Sequence, residues 1–251
     1  MEFRCHFDRR SVRRPRLFGK HTLRALNLLL LGSFALTTSS QSANTRLYPL
    51  RPSDLCVTEG ALEERPDHRL SVRVPAMRAY VNHATSQDVE ARFTYLGPTE
   101  EQVRLRGGEL RVQFGLKLLA EDGCNLVYAM WRFAPSAKLV VSLKSNPGQH
   151  TSSACTNRGY QTIRPTHSSP VPSISGGQTH SLRAVLQTED LRVFADGRMV
   201  WQGTLGAAGL QGPVGIRTDN VRADFELLAG AQGAPQGAEP SSCKNGGKES
   251  E

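Results

Sequence analysis

Residues 110–118 read Leu-Arg-Val-Gln-Phe-Gly-Leu-Lys-Leu, with an apolar side chain at every second position. That period belongs to a strand with one face in a core, because side chains alternate across a pleated backbone, whereas a helix repeats about every 3.6 residues. The same alternation runs through Leu70-Ser71-Val72-Arg73-Val74 and Val89-Glu90-Ala91-Arg92-Phe93-Thr94-Tyr95. Turn signals punctuate the pattern. Glu121-Asp122-Gly123 precedes a strand over about 124–133, and Ala134-Pro135-Ser136 precedes one over about 138–144. Further on, strands are expected near 182–187, 191–195, 199–202, 214–218 and 221–228, with Asp196-Gly197 and Asp219-Asn220 as turns. Outside the N-terminal region no helix-period segment exceeds two turns, and 23 glycines and 14 prolines also argue against a helix bundle. The expected class is all-β, a two-sheet antiparallel sandwich.

The N-terminus has a different character. An apolar run of 12 residues, 25–36, follows an arginine-rich stretch and leads into Thr-Thr-Ser-Ser-Gln-Ser-Ala. A membrane span needs roughly 20 apolar residues, so this is a signal-peptide pattern, with cleavage after Ser40 or Ser42. An uncleaved N-terminal anchor is the alternative. The division expected is a signal peptide over 1–43, a lead-in over 44–69, a sandwich over 70–229 and a low-complexity tail over 230–251. This division changes the meaning of the net charge of +8. Residues 1–43 hold eight of the 31 basic and two of the 23 acidic residues, leaving 23 basic against 21 acidic over the other 208, a net of +2. A nucleic-acid partner is therefore not expected, nor is stable membrane insertion.

Cys5 belongs to the leader, which leaves Cys56, Cys124, Cys155 and Cys243, an even set suited to disulfides outside the cytosol. They allow three connectivities. The pairing favoured is Cys124–Cys155, tying a polar loop to a hairpin, with Cys56–Cys243 joining the two ends. None of the four has a Cys or His two to four residues away, so the spacing of a zinc site is absent. No cofactor and no metal site is expected; Asp219 and Asn220 read as turn residues rather than calcium ligands.

The C-terminal half carries a cadence of its own. His180-Ser181-Leu182-Arg183-Ala184 leads to Leu191-Arg192-Val193-Phe194-Ala195-Asp196-Gly197 and Trp201-Gln202-Gly203. Gly212-Pro213-Val214-Gly215-Ile216-Arg217-Thr218-Asp219-Asn220 and Phe225 follow. This stretch, about 178–228, resembles the closing strands of concanavalin A-like lectin/glucanase and laminin-G-like domains, with weaker agreement back to about residue 70. The resemblance implies a jelly-roll sandwich whose concave front sheet holds glycan. Hydrolytic members of that family place acidic residues at alternating strand positions. The pairs Glu63-Glu64, Glu100-Glu101, Glu121-Asp122 and Glu189-Asp190 are adjacent instead, so their side chains diverge on a strand. Asp224 and Glu226 share a face, read as the solvated side of an edge strand. There is no Gly-x-Ser-x-Gly elbow for serine chemistry.

Alternation also assigns the opposite face. With Leu110, Val112, Phe114, Leu116, Leu118, Trp131, Phe133, Leu139, Val141 and Leu143 inward, the outward set is Arg111, Gln113, Lys117, Tyr128, Arg132, Lys138, Ser142 and Lys144. Guanidinium and ammonium groups pair with carboxylates or sulfates, and Tyr128 offers an aromatic platform. The loop 146–160, carrying His150, Arg158 and Tyr160, is expected to border that surface. The function expected is a secreted, non-catalytic module for extracellular carbohydrate, acidic glycans included. The alternatives are a structural cell-envelope interaction domain and a polysaccharide-active enzyme, a hydrolase or a lyase with His150 as base and Tyr160 as acid. Oligomeric state is not legible.

Overall fold

Alternating apolar side chains pair best where two strands bury the same face, and almost every stretch with that pattern is hydrogen-bonded into one of two antiparallel sheets. The computed structural model describes residues 46–207, 209–231 and 243. In chain order the strands are β1 (Leu47–Pro49), β2 (Leu55–Glu59), β3 (Glu63–Glu64), β4 (Leu70–Val72), β5 (Ala76–Val81) and β6 (Thr85–Pro98). Then come β7 (Val112–Leu118), β8 (Leu126–Ala134), β9 (Lys138–Lys144), the short helix α1 (Ser152–Cys155), β10 (Tyr160–Thr162) and β11 (His167–Ser168). The set ends with β12 (Thr179–Gln187), β13 (Asp190–Ala195), β14 (Arg198–Thr204), β15 (Gly215–Asp219) and β16 (Val221–Ala231). The expected signal segment 1–43 and most of the expected tail lie outside the described residues. Residues 47–64, read from sequence as lead-in, contribute three short strands.

The larger sheet runs β11-β14-β13-β12-β6-β16-β4-β3, with β1 paired to β16 as well. The smaller runs β10-β9-β8-β7-β15-β5-β2. Their facing surfaces interdigitate as one core in which the Phe93 and Phe114 rings stack with centroids 4.3 Å apart. Trp131 meets Phe93 edge-on at 6.0 Å and Phe225 meets Phe114 edge-on at 5.6 Å. The fold is thus the all-β, two-sheet jelly-roll sandwich that the sequence led us to expect. The disulfides are Cys124–Cys155 and Cys56–Cys243, the favoured pairing.

Two local expectations are corrected, and the expected Asp219-Asn220 turn is given a place. The strand expected from residue 110 begins at Val112, and Leu110 is 41% exposed instead of facing the core. The backbone before Val112 is drawn off the sheet into a loop, because Asn220 Nδ2 donates to the carbonyls of both Val103 and Arg111. Asp219-Asn220 is the corner at which the chain leaves one sheet for the other, with Asn220 at φ +56°. Finally, β16 is no edge: it pairs with β6 on one side and with β4 and β1 on the other. Asp224 is buried and ion-paired to Arg73 (2.7 Å) and Arg65 (3.5 Å).

Candidate functional site

The register of the smaller sheet sets the outward side chains in rows. One row runs Asp219, Gln113, Arg132, Lys138 across β15, β7, β8 and β9. The next runs Arg78, Arg217, Gly115, Met130, Val140. A third runs Tyr80, Gly215, Lys117, Tyr128, Ser142, Thr162. Gly115 keeps the middle of this face low, since a Cβ there would collide with the Met130 side chain and the Ala129 carbonyl. Two loops rise beside it. One holds Leu105, Arg106, Gly107, Glu109 and Arg111; the other carries Asn157 and leads into Tyr160. Together they bound an open cleft of about 490 Å³ whose floor includes Gln113, Tyr128, Met130, Arg132 and Arg217. The loops nearly touch: Asn157 Nδ2 lies 3.9 Å from where a Gly107 side chain would begin.

Beneath the floor lies a charged network centred on Asp219. Its carboxylate accepts from Arg78 Nη2 (2.5 Å), Gln113 Nε2 (2.6 Å) and Arg217 Nε (3.0 Å), and Arg78 also pairs with Glu59 at 3.7 Å. Two acids thus offset two guanidiniums in a setting where unpaired charge is costly. The Arg217 guanidinium lies over the Tyr128 ring at 4.8 Å, and its Nη1 is 3.5 Å from the Tyr160 hydroxyl. Tyr128 and Tyr160 stack with centroids 6.2 Å apart, and Tyr160 keeps 37% of its surface exposed.

Arg132 differs from Arg217. Among the described residues it makes no ion pair, and its Nε is buried without a hydrogen-bond acceptor. Burial draws its pKa below the ordinary guanidinium value, the charge of Arg111 adds to that, and Glu109 opposes it. Arg111 itself donates to Glu109 at 2.5 Å. Lys138 lies opposite Arg132 in register.

Of the residues singled out from sequence, Arg111, Gln113, Tyr128, Arg132 and Tyr160 line this one cleft. Tyr128 is no open platform, being 3% exposed beneath the Arg217 guanidinium, and Gln113 is 2% exposed and held by Asp219. Lys117 and Lys144 occupy the same sheet face but are 1% and 2% exposed rather than open. Lys144 Nζ donates to the Gly123 carbonyl at 2.8 Å and lies 5.1 Å from the Tyr160 ring centroid, closed over by the disulfide-held loops. His150 lies elsewhere, in a second depression of about 290 Å³ with Glu121, Asn125 and Leu210. Its Nδ1 is 2.7 Å from Asp122 Oδ2, and Asp122 Oδ1 also accepts from the backbone N–H of Cys124 and of Asn125. Glu121, Asp122 and His150 bring their donor atoms within 4.8 Å of one another. Arg158 donates to the Ala154 carbonyl within its own exposed loop. Arg217, Arg78 and Asp219 were not singled out as site residues. For Arg78 the signal was a charged residue between two apolar ones, Met77 and Ala79; Arg217 and Asp219 lie in a polar run, Arg217-Thr218-Asp219-Asn220, that gave none.

No protein-family model matches the sequence, and no curated protein matches it. Solved structures similar to this chain include a carbohydrate-binding module (CBM66) from Bacillus subtilis, at 11% identity and TM-score 0.49, covering 68% of this chain and 91% of that one. The potassium-bound carbohydrate recognition domain of Emp46p is similar at 12% identity and TM-score 0.46, covering 72% and 90%. The apo Crh5 transglycosylase is similar at 12% identity and TM-score 0.44, covering 77% and 85%. These are likenesses of fold between carbohydrate-associated proteins and this chain.

Proposed function

We propose that this is an exported, non-catalytic carbohydrate-binding module that takes acidic glycans in the cleft of its smaller sheet. The observation that carries the reading is the cleft: a groove on a rigid sheet, with an exposed tyrosine, hydroxyl and amide groups, and guanidiniums fixed from below. Sugar rings stack on aromatic faces through their C–H groups, while hydroxyls and carboxylates need convergent donors. Residues 1–43 act as the export signal and the domain begins after them. The paired cysteines suit an oxidising compartment.

The lining supports binding over catalysis. Glycoside hydrolysis uses two carboxyl groups about 5–10 Å apart across the scissile bond. Glu109 is the one acidic residue lining the cleft among the described residues, and it is held by Arg111. Asp219 is committed to two arginines and a glutamine. The base–acid pair that a lyase would need, His150 and Tyr160, is divided between two depressions. The test is a glycan array combined with an assay for product ends on every glycan that binds. Binding without release of reducing or unsaturated ends is expected. Unsaturated ends, lost in His150→Ala or Tyr160→Phe, would establish an enzyme instead.

A further inference from the structure

Cationic groups at the two ends of the cleft are in opposite electrostatic states, and this bears on what kind of acidic glycan fits. At the tyrosine end, the cation lining the cleft is Arg217, and its charge is already met by Asp219. Lys117 and Lys144 lie on this side of the sheet too, but they are buried and do not line the cleft. What the tyrosine end presents is the Tyr160 ring, its hydroxyl, Ser142 and Thr162, a surface for stacking and for hydroxyl hydrogen bonds. At the other end, Arg132 has no carboxylate partner among the described residues and a buried Nε without an acceptor, and Lys138 stands beside it in register. Arg111, Arg106 and Glu109 are the other charged side chains lining that end; Arg111 is paired with Glu109.

Arg132 lies four positions along β8 from Tyr128, about 13 Å at roughly 3.3 Å per residue. We propose that the cleft recognises a heteroglycan, setting one carboxylate or sulfate against Arg132 and Lys138 and a neutral sugar ring against Tyr160. A uniformly acidic polymer would have to lay a second anion at the tyrosine end, where the one lining guanidinium is already neutralised. A neutral polymer would leave the half-buried Arg132, with its enclosed Nε, without a bound counter-charge. This inference rests on the carbohydrate-binding reading of the same cleft.

The experiment is an array of tetrasaccharides in three sets, neutral, uniformly acidic and alternating acidic–neutral, with the acidic ones both uronate and sulfated. Wild type and two variants, Arg132→Gln and Lys138→Gln, are applied after thermal melts show each is folded. Alternating glycans are expected to bind about tenfold or more above both other sets, as one charge-assisted hydrogen bond is worth. Each variant should lower alternating binders toward the neutral level, with a smaller loss for neutral glycans. Uniformly acidic or neutral glycans binding best, or Arg132→Gln weakening all sets alike, would overturn the heteroglycan inference while leaving a carbohydrate cleft. Absence of binding to all three sets by the folded wild type would overturn both.

Discussion

Asp219 is 2% exposed, and its carboxylate accepts from Arg78, Arg217 and Gln113. Replacing its carboxylate by an amide of the same shape leaves two buried guanidiniums short of counter-charge. Asp219→Asn should therefore cost about 3–5 kcal/mol in chemical denaturation, the range for breaking a buried pair on one side. Arg217 would also lose its aim at the cleft. Asp224, on the larger sheet, offers a pH signature. Burial raises its pKa, but hydrogen bonds from Arg73 and Ser71 and the charges of Arg73 and Arg65 outweigh burial and hold it below the ordinary carboxylate value. A carboxyl whose folded pKa is depressed stabilises the fold above its unfolded pKa of about 3.9, and that contribution fades as pH falls through the folded value. The stability gap between wild type and Asp224→Asn, read from urea midpoints, should be flat above about pH 5 and close below about pH 4. A gap that widens on acidification would assign the opposite sign to this pair.

At the scale of elements, the cleft depends on how its two loops are held. Asn220 accepts from Val103 N–H and donates to the Val103 and Arg111 carbonyls, each at 2.8 Å, so one side chain anchors both ends of the 103–111 loop. Asn220→Ala should raise amide exchange across 103–111 by about tenfold or more while β8 and β9 keep their protection. Unchanged exchange there would show the loop to be held by its own turn bonds. The facing loop depends on Cys124–Cys155, and the double substitution to serine should cost about 2–4 kcal/mol of stability. The strands themselves were legible because burial of one face leaves a period of two; residues 138–144 were read from sequence with the bounds the fold gives them. Burial of Lys117 and Lys144 was not legible. Alternation says which face a side chain takes, never which loop will lie over that face. The Asp219 network was hidden for a related reason: β15 inserts between β7 and β5, bringing together residues more than 100 apart in the chain. A strand's own sequence carries no record of its neighbours.

For the whole molecule, charge matters by distribution. The region after residue 43 carries a net of only +2, yet Arg106, Arg111, Arg132, Lys138 and Arg217 line one cleft with Glu109 as its single acid among the described residues. The cleft's guanidiniums and exposed Tyr160 hydroxyl are the groups the proposed glycan would need, and two disulfides suit an oxidising compartment. Among the described residues, no helix is long and apolar enough to cross a membrane. The most direct test of the carbohydrate cleft is a calorimetric titration of the strongest array ligand into wild type and into the Arg111→Ala/Arg132→Ala double variant. Both proteins should melt within a few degrees of each other, and the double variant should bind about tenfold or more weakly. Equal affinity in the two proteins would place the glycan elsewhere and contradict the account.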